Sequence, residues 1–182
     1  MVERIANTCK GIWISVSATT RPPRPGEMDG THYFFISDKR FDQLITDDGL
    51  LEWAAVHGSR YGTLRDEVVR RLDAGTDVIL EIDPQGAFQV KGKMPEARLI
   101  FIMPPSMIEL ERRLCERGTE SPEQIARRLQ VAEVEIFAKE RYNSVVINDD
   151  LDVATQELME IIKSAREIPS DVEAKRSQGP CG

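Results

Sequence analysis

Two arginines, Arg21 and Arg24, stand three residues apart in the segment SVSATTRPPRPGE, which Pro22, Pro23 and Pro25 stiffen. A guanidinium is a planar fork of donors that matches a phosphate or carboxylate, and a rigid loop loses little entropy on closing around one. The pair reads as an oxyanion clamp, with an ordinary solvent-exposed turn as the alternative. Tyr33 and Tyr61 each follow a loop and can add hydroxyl donors to the same anion.

The carboxylates offer a second kind of chemistry. Glu52 interrupts the apolar run LLEWAA, and a carboxylate buried there without partners costs free energy. A ligand edge with two adjacent N–H donors, such as that of guanine, satisfies it, whereas adenine lacks the pair. A site of that design rejects the wrong base by about 10⁴-fold, because the carboxylate is then left unpaired. The other reading places Glu52 in water on an edge strand. In LEIDPQG, Glu81 and Asp83 sit two residues apart at the end of an apolar run, and a strand there would point both to one face. Such a pair binds Mg²⁺ through water, hydrogen-bonds a substrate or simply finishes the strand. Arg112, Arg113, Arg117, Arg127 and Arg128 surround a Gly-Thr break in ERRLCERGTESPEQIARRL. A helical hairpin there can fold over a polyphosphate, or its arginines can pair with the interleaved glutamates at i,i+4.

Positioning these groups requires a scaffold, and the apolar spacing outlines one. Val2, Ile5, Ala6 and Cys9 have helical spacing, GIWISVS is β-rich, and THYFFIS reads as a strand. A helix capped by serine or aspartate runs through Phe41, Leu44 and Ile45 to Gly49, and residues 51–56 return to extended chain. HGSRYGT reads as a glycine-punctuated turn. Leu64, Val68, Val69 and Leu72 mark an amphipathic helix that stops at Gly75. DVILEID, ARLIFIMPP and NSVVIN read as strands of a buried parallel sheet. Helices start at Pro84, after Ser106, after Ser121 with Pro122 at the first position, and in DLDVATQELMEIIKSA. Strands alternating with helices predict an α/β fold, and the shorter, more alternating strands of the first half predict a smaller inserted lobe.

The totals bound the options. The chain has 182 residues and a net charge of −7, which argues against a general nucleic-acid binder and makes any anion site local. Cys9, Cys115 and Cys181 fit no metal or CxxC spacing and read as free thiols in a reducing compartment. Two histidines, His32 and His57, exclude a multi-histidine metal site. No run approaches 18 apolar residues and none has signal-peptide form, so a cytoplasmic, membrane-free protein is expected. Residues 169–182 lose apolar periodicity and read as a disordered tail.

SVSATTRPPRPGE, DGTHYFF, EWA followed by YGT, LEIDPQG, RGTES with RRL, and VINDDL stand in one order and spacing that resembles guanylate kinase, a nucleoside monophosphate kinase family, over about residues 12–162. The resemblance implies a P-loop-kinase-like parallel sheet flanked by helices, with its core at 1–17 and 64–168. It also implies a small mixed β GMP-binding lobe at about 18–63 and a helical lid at about 112–128. The implied activity is phosphoryl transfer from ATP to GMP with Mg²⁺, in purine nucleotide metabolism, with nucleotides as the partners. Carried over by position, the GMP phosphate falls to Arg21, Arg24, Tyr33 and Tyr61, and guanine to Ser17, Glu52 and Thr63 with Glu81 nearby. Asp83 falls near the reaction centre and its magnesium. Arg113, Arg117 and Arg128 serve the lid and the transferring phosphate, and Asn148 lies near the adenine of ATP.

One motif of the family has no counterpart in these residues. The GxxxxGK[ST] loop cradles ATP phosphates with backbone N–H groups and a lysine. Here Lys93 follows Gly92, but Met94 comes next and Ala87 stands where the first glycine belongs. The resemblance thus implies a sheet lacking the family's first strand and an impaired donor site. Its alternative is an inactive guanylate-kinase-like module that binds GMP or a phosphorylated peptide through the arginine loop. Base recognition by Glu52 makes a mutational prediction: Glu52→Ala weakens GMP binding at least tenfold and leaves inorganic phosphate unchanged, whereas Arg21→Ala weakens both. Calorimetric titration of the two variants with each ligand checks it.

Overall fold

In the computed structural model, residues 1–56, 58–118 and 120–167 are described. The tail expected at 169–182, with Cys181, lies outside them. The chain divides into two compact units, Val2–Ala97 and a second that begins at Arg98.

The first unit opens with helix α1 (Val2–Thr8), which buries Val2 and Ile5. Strand β1 (Ile12–Ile14) pairs in parallel with β6 (Asp77–Ile79), in the register Ile12↔Asp77 and Ile14↔Ile79. Between them in sequence lies a four-stranded mixed sheet of order β3-β2-β5-β4, built from β2 (Ala18–Thr19), β3 (Phe34–Phe35), β4 (Leu50–Val56) and β5 (Ser59–Leu64). Helix α2 (Asp38–Thr46) starts where the Ser37 side chain accepts from the Arg40 N–H, satisfying one of the free donors of a first turn. It ends at Thr46 with Asp47 as its cap; Asp48 follows at a positive φ of 52°, and Lys93 and Arg65 pair with its carboxylate. Helix α3 (Arg65–Asp73) buries only Val68, and helix α4 (Pro84–Lys93) starts from Asp83, whose carboxylate accepts from the Gly86 N–H. Leu51, Val68 and Val90 form the core of the unit, with Trp13, Val78 and Leu80 packed against them.

The second unit pairs β7 (Ile100–Met103) in parallel with β8 (Ser144–Ile147). Helix α5 (Met107–Arg117) is capped by Ser106 and closed by Gly118 at φ 64°. Helix α6 (Pro122–Ile136) opens with a full capping box between Ser121 and Gln124 and passes into a 3₁₀ turn (Phe137–Arg141). Helix α7 (Leu151–Glu167) follows. Leu99, Leu114, Val146, Ala154 and Leu158 are buried here, and the Phe101 ring meets Tyr142 edge-on at 5.0 Å.

The α/β reading holds, with three local differences. HGSRYGT is a turn only at its start: Gly58 turns at φ 80°, but Ser59–Leu64 is a strand, and Gly62 is required because a Cβ there would lie 2.7 Å from the Glu52 carbonyl oxygen. The strand in DVILEID is short, because its neighbour β1 ends at Ile14 and leaves residues 80–82 no ladder partner. THYFFIS contributes only Phe34–Phe35, since His32 turns back to accept from the Met28 N–H through Nδ1.

Phe41 is fully buried on α2, with Trp53 edge-on at 6.2 Å and the Arg60 guanidinium 4.7 Å from its ring centre. Arg60 also donates to the Asp38 carboxylate at 2.7 Å, tying α2 to β5. Phe41→Ala opens a cavity and removes the stacking surface, so the expected loss is about 3–5 kcal/mol. Urea denaturation measures it.

Candidate functional site

The register of the mixed sheet gathers the polar residues on one face. Ala18 lies opposite Gly62 and Thr19 opposite Tyr61, which brings Ser17 level with Thr63. Residues two apart share a face, so Ser17, Thr19, Tyr61 and Thr63 point the same way. On the other face, Trp53 meets Phe41 of α2.

Arg21 sits beside this face. Its Nη2 donates to Glu27 Oε1 at 2.8 Å and its Nη1 to the Pro22 carbonyl at 2.7 Å. The guanidinium lies 5.5 Å from the Tyr33 ring centre, and Tyr33 meets Tyr61 edge-on at 5.9 Å. The Glu27 side chain and the Tyr61 hydroxyl both bond the guanidinium and hold it firmly charged. The second oxygen of Glu27 accepts from the Arg24 N–H at 2.6 Å. Glu27 therefore braces the loop at both arginines, and the Arg21 hydrogen bond with the Arg24 N–H lowers its pKa to about 2. The Arg24 side chain is exposed. Arg21, Tyr33 and Tyr61 thus converge, with Arg24 on the same braced loop.

Glu52 is 7% exposed, and its Oε1 accepts from the Thr63 hydroxyl at 2.7 Å. A β-carbon at position 86 would come within 3.0 Å of Oε2, so Gly86 leaves that oxygen its space. Burial pushes the Glu52 carboxyl above its ordinary value, against the Thr63 hydrogen bond and with help from the Asp83 charge. The edge-strand-in-water reading of Glu52 is thereby excluded.

The Glu81 and Asp83 pair is corrected. The strand ends at Ile79, Glu81 is exposed, and Asp83 is the cap of α4 rather than a strand residue. The chain has to turn from strand into helix at this point, and that turn replaces the alternation on which a shared face depended. No cluster of three or more His, Cys, Asp or Glu side chains suited to a metal occurs among the described residues.

In the second unit, Arg113 donates to Glu109 at 2.6 Å and to the carbonyls of Asn148 and Asp149 at 2.6 and 2.9 Å. It ties α5 to the turn after β8. Asn148 donates its N–H to the Met103 carbonyl at 2.7 Å. Arg128 pairs with Glu120 at 2.8 Å, Arg112 pairs with Glu109 and Glu116, and Arg117 is exposed at the end of α5.

Sequence reading passed over Glu27, Thr19 and the glycine at 86. Thr19 falls two residues after Ser17, a period-2 signal that was available; its hydroxyl accepts from the Arg21 N–H at 3.2 Å. Glu27 and Gly86 carry no periodic signal, because one lies in a loop and the other acts by lacking a side chain.

The sequence pattern of the guanylate kinase family matches residues 5–165. A guanylate kinase of Streptomyces coelicolor is 55% identical over 148 residues, covering 81% of this chain and 75% of that protein. One from Thermobifida fusca is 51% identical over 162 residues, covering 89% and 83%. The crystal structure of guanylate kinase from Anaplasma phagocytophilum superposes with a TM-score of 0.70 at 35% identity, over 87% of this chain and 78% of that one.

The two carboxylates give opposite pH signatures. Glu27 has a depressed pKa, so its contribution to stability is full above about 4.5 and is lost as pH falls through about 2. Glu52 has a raised one, so its contribution is full below 4.5 and is lost as pH rises through its folded value. If Glu52 reads a base as a carboxylate, affinity for GMP relative to ribose 5-phosphate falls on acidification, starting above pH 4.5. The ratio is flat with pH in Glu52→Gln. Using ribose 5-phosphate as reference cancels the phosphate's own titration near pH 6.

Proposed function

The chain belongs to the guanylate kinase family, and we propose that it binds GMP on the polar face of the mixed sheet and accepts a phosphoryl group from ATP onto it, giving GDP and ADP. The observation that carries this reading is the buried Glu52 carboxylate, bonded to Thr63 on one oxygen and faced by a glycine on the other. Guanine offers N1–H and a 2-amino group to such a carboxylate, with Ser17 and Thr63 at the same level of the sheet. Arg21, Arg24, Tyr33 and Tyr61 take the phosphate, and the phosphate displaces Glu27 from Arg21. Glu81, which is exposed, stands at the rim of the base site.

The chemistry asks little of the protein beyond placement and charge. A GMP phosphate oxygen forms a bond to the γ-phosphorus of ATP as the bond to the bridging oxygen breaks, and ADP leaves with that electron pair. The arginine loop neutralises the attacking phosphate and fixes its direction. Arg117 and Arg128 offer charge to the transferring group, Arg113 holds the turn that carries Asn148, and Asn148 receives the adenine. Asp83 has one oxygen on the Gly86 N–H and keeps the other available, which fits a Mg²⁺ that brings most of its ligands as water and phosphate. When bound, that ion neutralises charge on the phosphates. The lobe at about 18–63 and the lid at about 112–128 are the functional divisions of this reading, and cytoplasm its compartment. No helix among the described residues is long and apolar enough to cross a membrane.

A second reading is a module that binds GMP or a phosphorylated peptide at the arginine loop without transferring; the exposed Arg24 on the braced loop suits a phosphorylated side chain as well as a nucleotide. ADP formation by the purified chain with ATP–Mg²⁺, run with GMP and separately with AMP, distinguishes the two. The kinase reading expects turnover that depends on GMP, and none with AMP. A folded chain that binds a phosphopeptide more tightly than GMP overturns it.

A further inference from the structure

Glu52 does not lie in a regular strand. In the ladder of β4 with β5, Leu50 pairs with Leu64 and Trp53 with Gly62, so β4 carries one more residue than β5 across that interval. This is a β-bulge, and it breaks the alternation: Leu50, Leu51 and Glu52 are all buried. In a regular strand, burying Leu51 in the core would turn Glu52 to the opposite face. The bulge is what lets Leu51 and Glu52 both be inside.

A bulge also weakens the ladder, and β4 is an edge strand whose outer backbone groups have no strand beside them. Helix α4 covers that edge with one face. Gly86, Gln89, Val90 and Lys93 are spaced i, i+3, i+4, i+7 and therefore share it. Gly86 faces the Glu52 carboxylate, and Val90 joins Leu51 in the core. The Gln89 amide grips the backbone of Trp53 at two points: its Oε1 accepts from the Trp53 N–H at 3.2 Å, and its Nε2 donates to the Trp53 carbonyl at 3.1 Å. Lys93 Nζ donates to the Leu50 carbonyl at 2.6 Å and to Asp48 at 2.6 Å. The two ends of the bulged segment, residues 50 and 53, are thus held from the helix by side chains acting as substitute strand partners.

We propose that Gln89, with Lys93, is a positioning residue for base recognition: by clamping the backbone on either side of the β4 bulge, it fixes the aim of the Glu52 carboxylate and so sets selectivity for guanine. The inference rests on Glu52 reading the base. Gln89 has no role with the phosphate, since its contacts are to the Trp53 backbone and not to the arginine loop.

The test is calorimetric titration of the full chain with GMP and with ribose 5-phosphate, in Gln89→Ala, Glu52→Ala and the double variant. Gln89→Ala is expected to lose about tenfold in GMP affinity and less than twofold in ribose 5-phosphate affinity. The double variant is expected to bind GMP as Glu52→Ala does, because Gln89 acts through Glu52. Unchanged GMP binding in Gln89→Ala, an equal loss for both ligands, or a further loss in the double variant each overturns the proposal. Should Gln89→Ala fail to fold, Gln89→Met keeps the side-chain volume without the amide, and Lys93→Met removes the other grip; the same criteria apply. If Glu52→Ala itself binds GMP like the unaltered chain, the base-reading assignment fails; if only Gln89→Ala does so, the clamp fails alone.

Discussion

A carboxylate inside a protein must find donors, and for Glu52 Thr63 supplies them. One oxygen takes the Thr63 hydroxyl, and the other faces a glycine that adds no side chain. Burial holds its pKa up, so the folded state keeps a group that is costly to ionise, and in the proposed function the N–H edge of guanine is what it receives. The hairpin of β4 and β5, the bulge at residue 52 and the glycines at 62 and 86 all serve that placement. Gly62 admits the Glu52 backbone and Gly86 admits its side chain. In the proposed function, fold and specificity are therefore set by the same few contacts.

The phosphate end is arranged on the opposite principle. Arg21 is not left waiting in water; Glu27 holds it, and the same carboxylate pins the Arg24 backbone. An internal anion keeps the loop ordered, and in the proposed function it is the group a phosphate displaces. The two side chains are only 15% and 18% exposed, so the pair is half-buried. In the proposed function, strength at the phosphate and selectivity at the base are thereby separated, one on a loop and one in a strand.

The arginine loop was legible because proline and arginine announce a rigid, charged turn, and the helix starts at Ser37, Ser106 and Ser121 were legible because their hydroxyls cap free N–H groups. Glu52 was legible as a carboxylate in an apolar run. Its way of being buried was not, since a bulge leaves no mark in the sequence and strict alternation would turn it outward. The pairing of Glu81 with Asp83 failed for a related reason: a continuous apolar run does not tell where its neighbouring strand stops, and here the ladder ends at Ile79. HGSRYGT was half legible: Gly58 makes the turn its glycines suggest, whereas Gly62 is there to let two strands approach. The arginines of α5 and α6 resolve unevenly, with Arg113 spent on main-chain carbonyls and Arg128 on Glu120.

The most direct test of this account is the affinity of the unaltered chain for GMP, IMP and AMP, measured side by side at one pH and salt concentration. IMP keeps N1–H but lacks the 2-amino group, and AMP lacks both donors. The account predicts that affinity falls stepwise from GMP to IMP to AMP, with AMP weaker than GMP by about 10⁴-fold. Equal affinity for the three would mean that Glu52 reads no base and that only the phosphate is recognised.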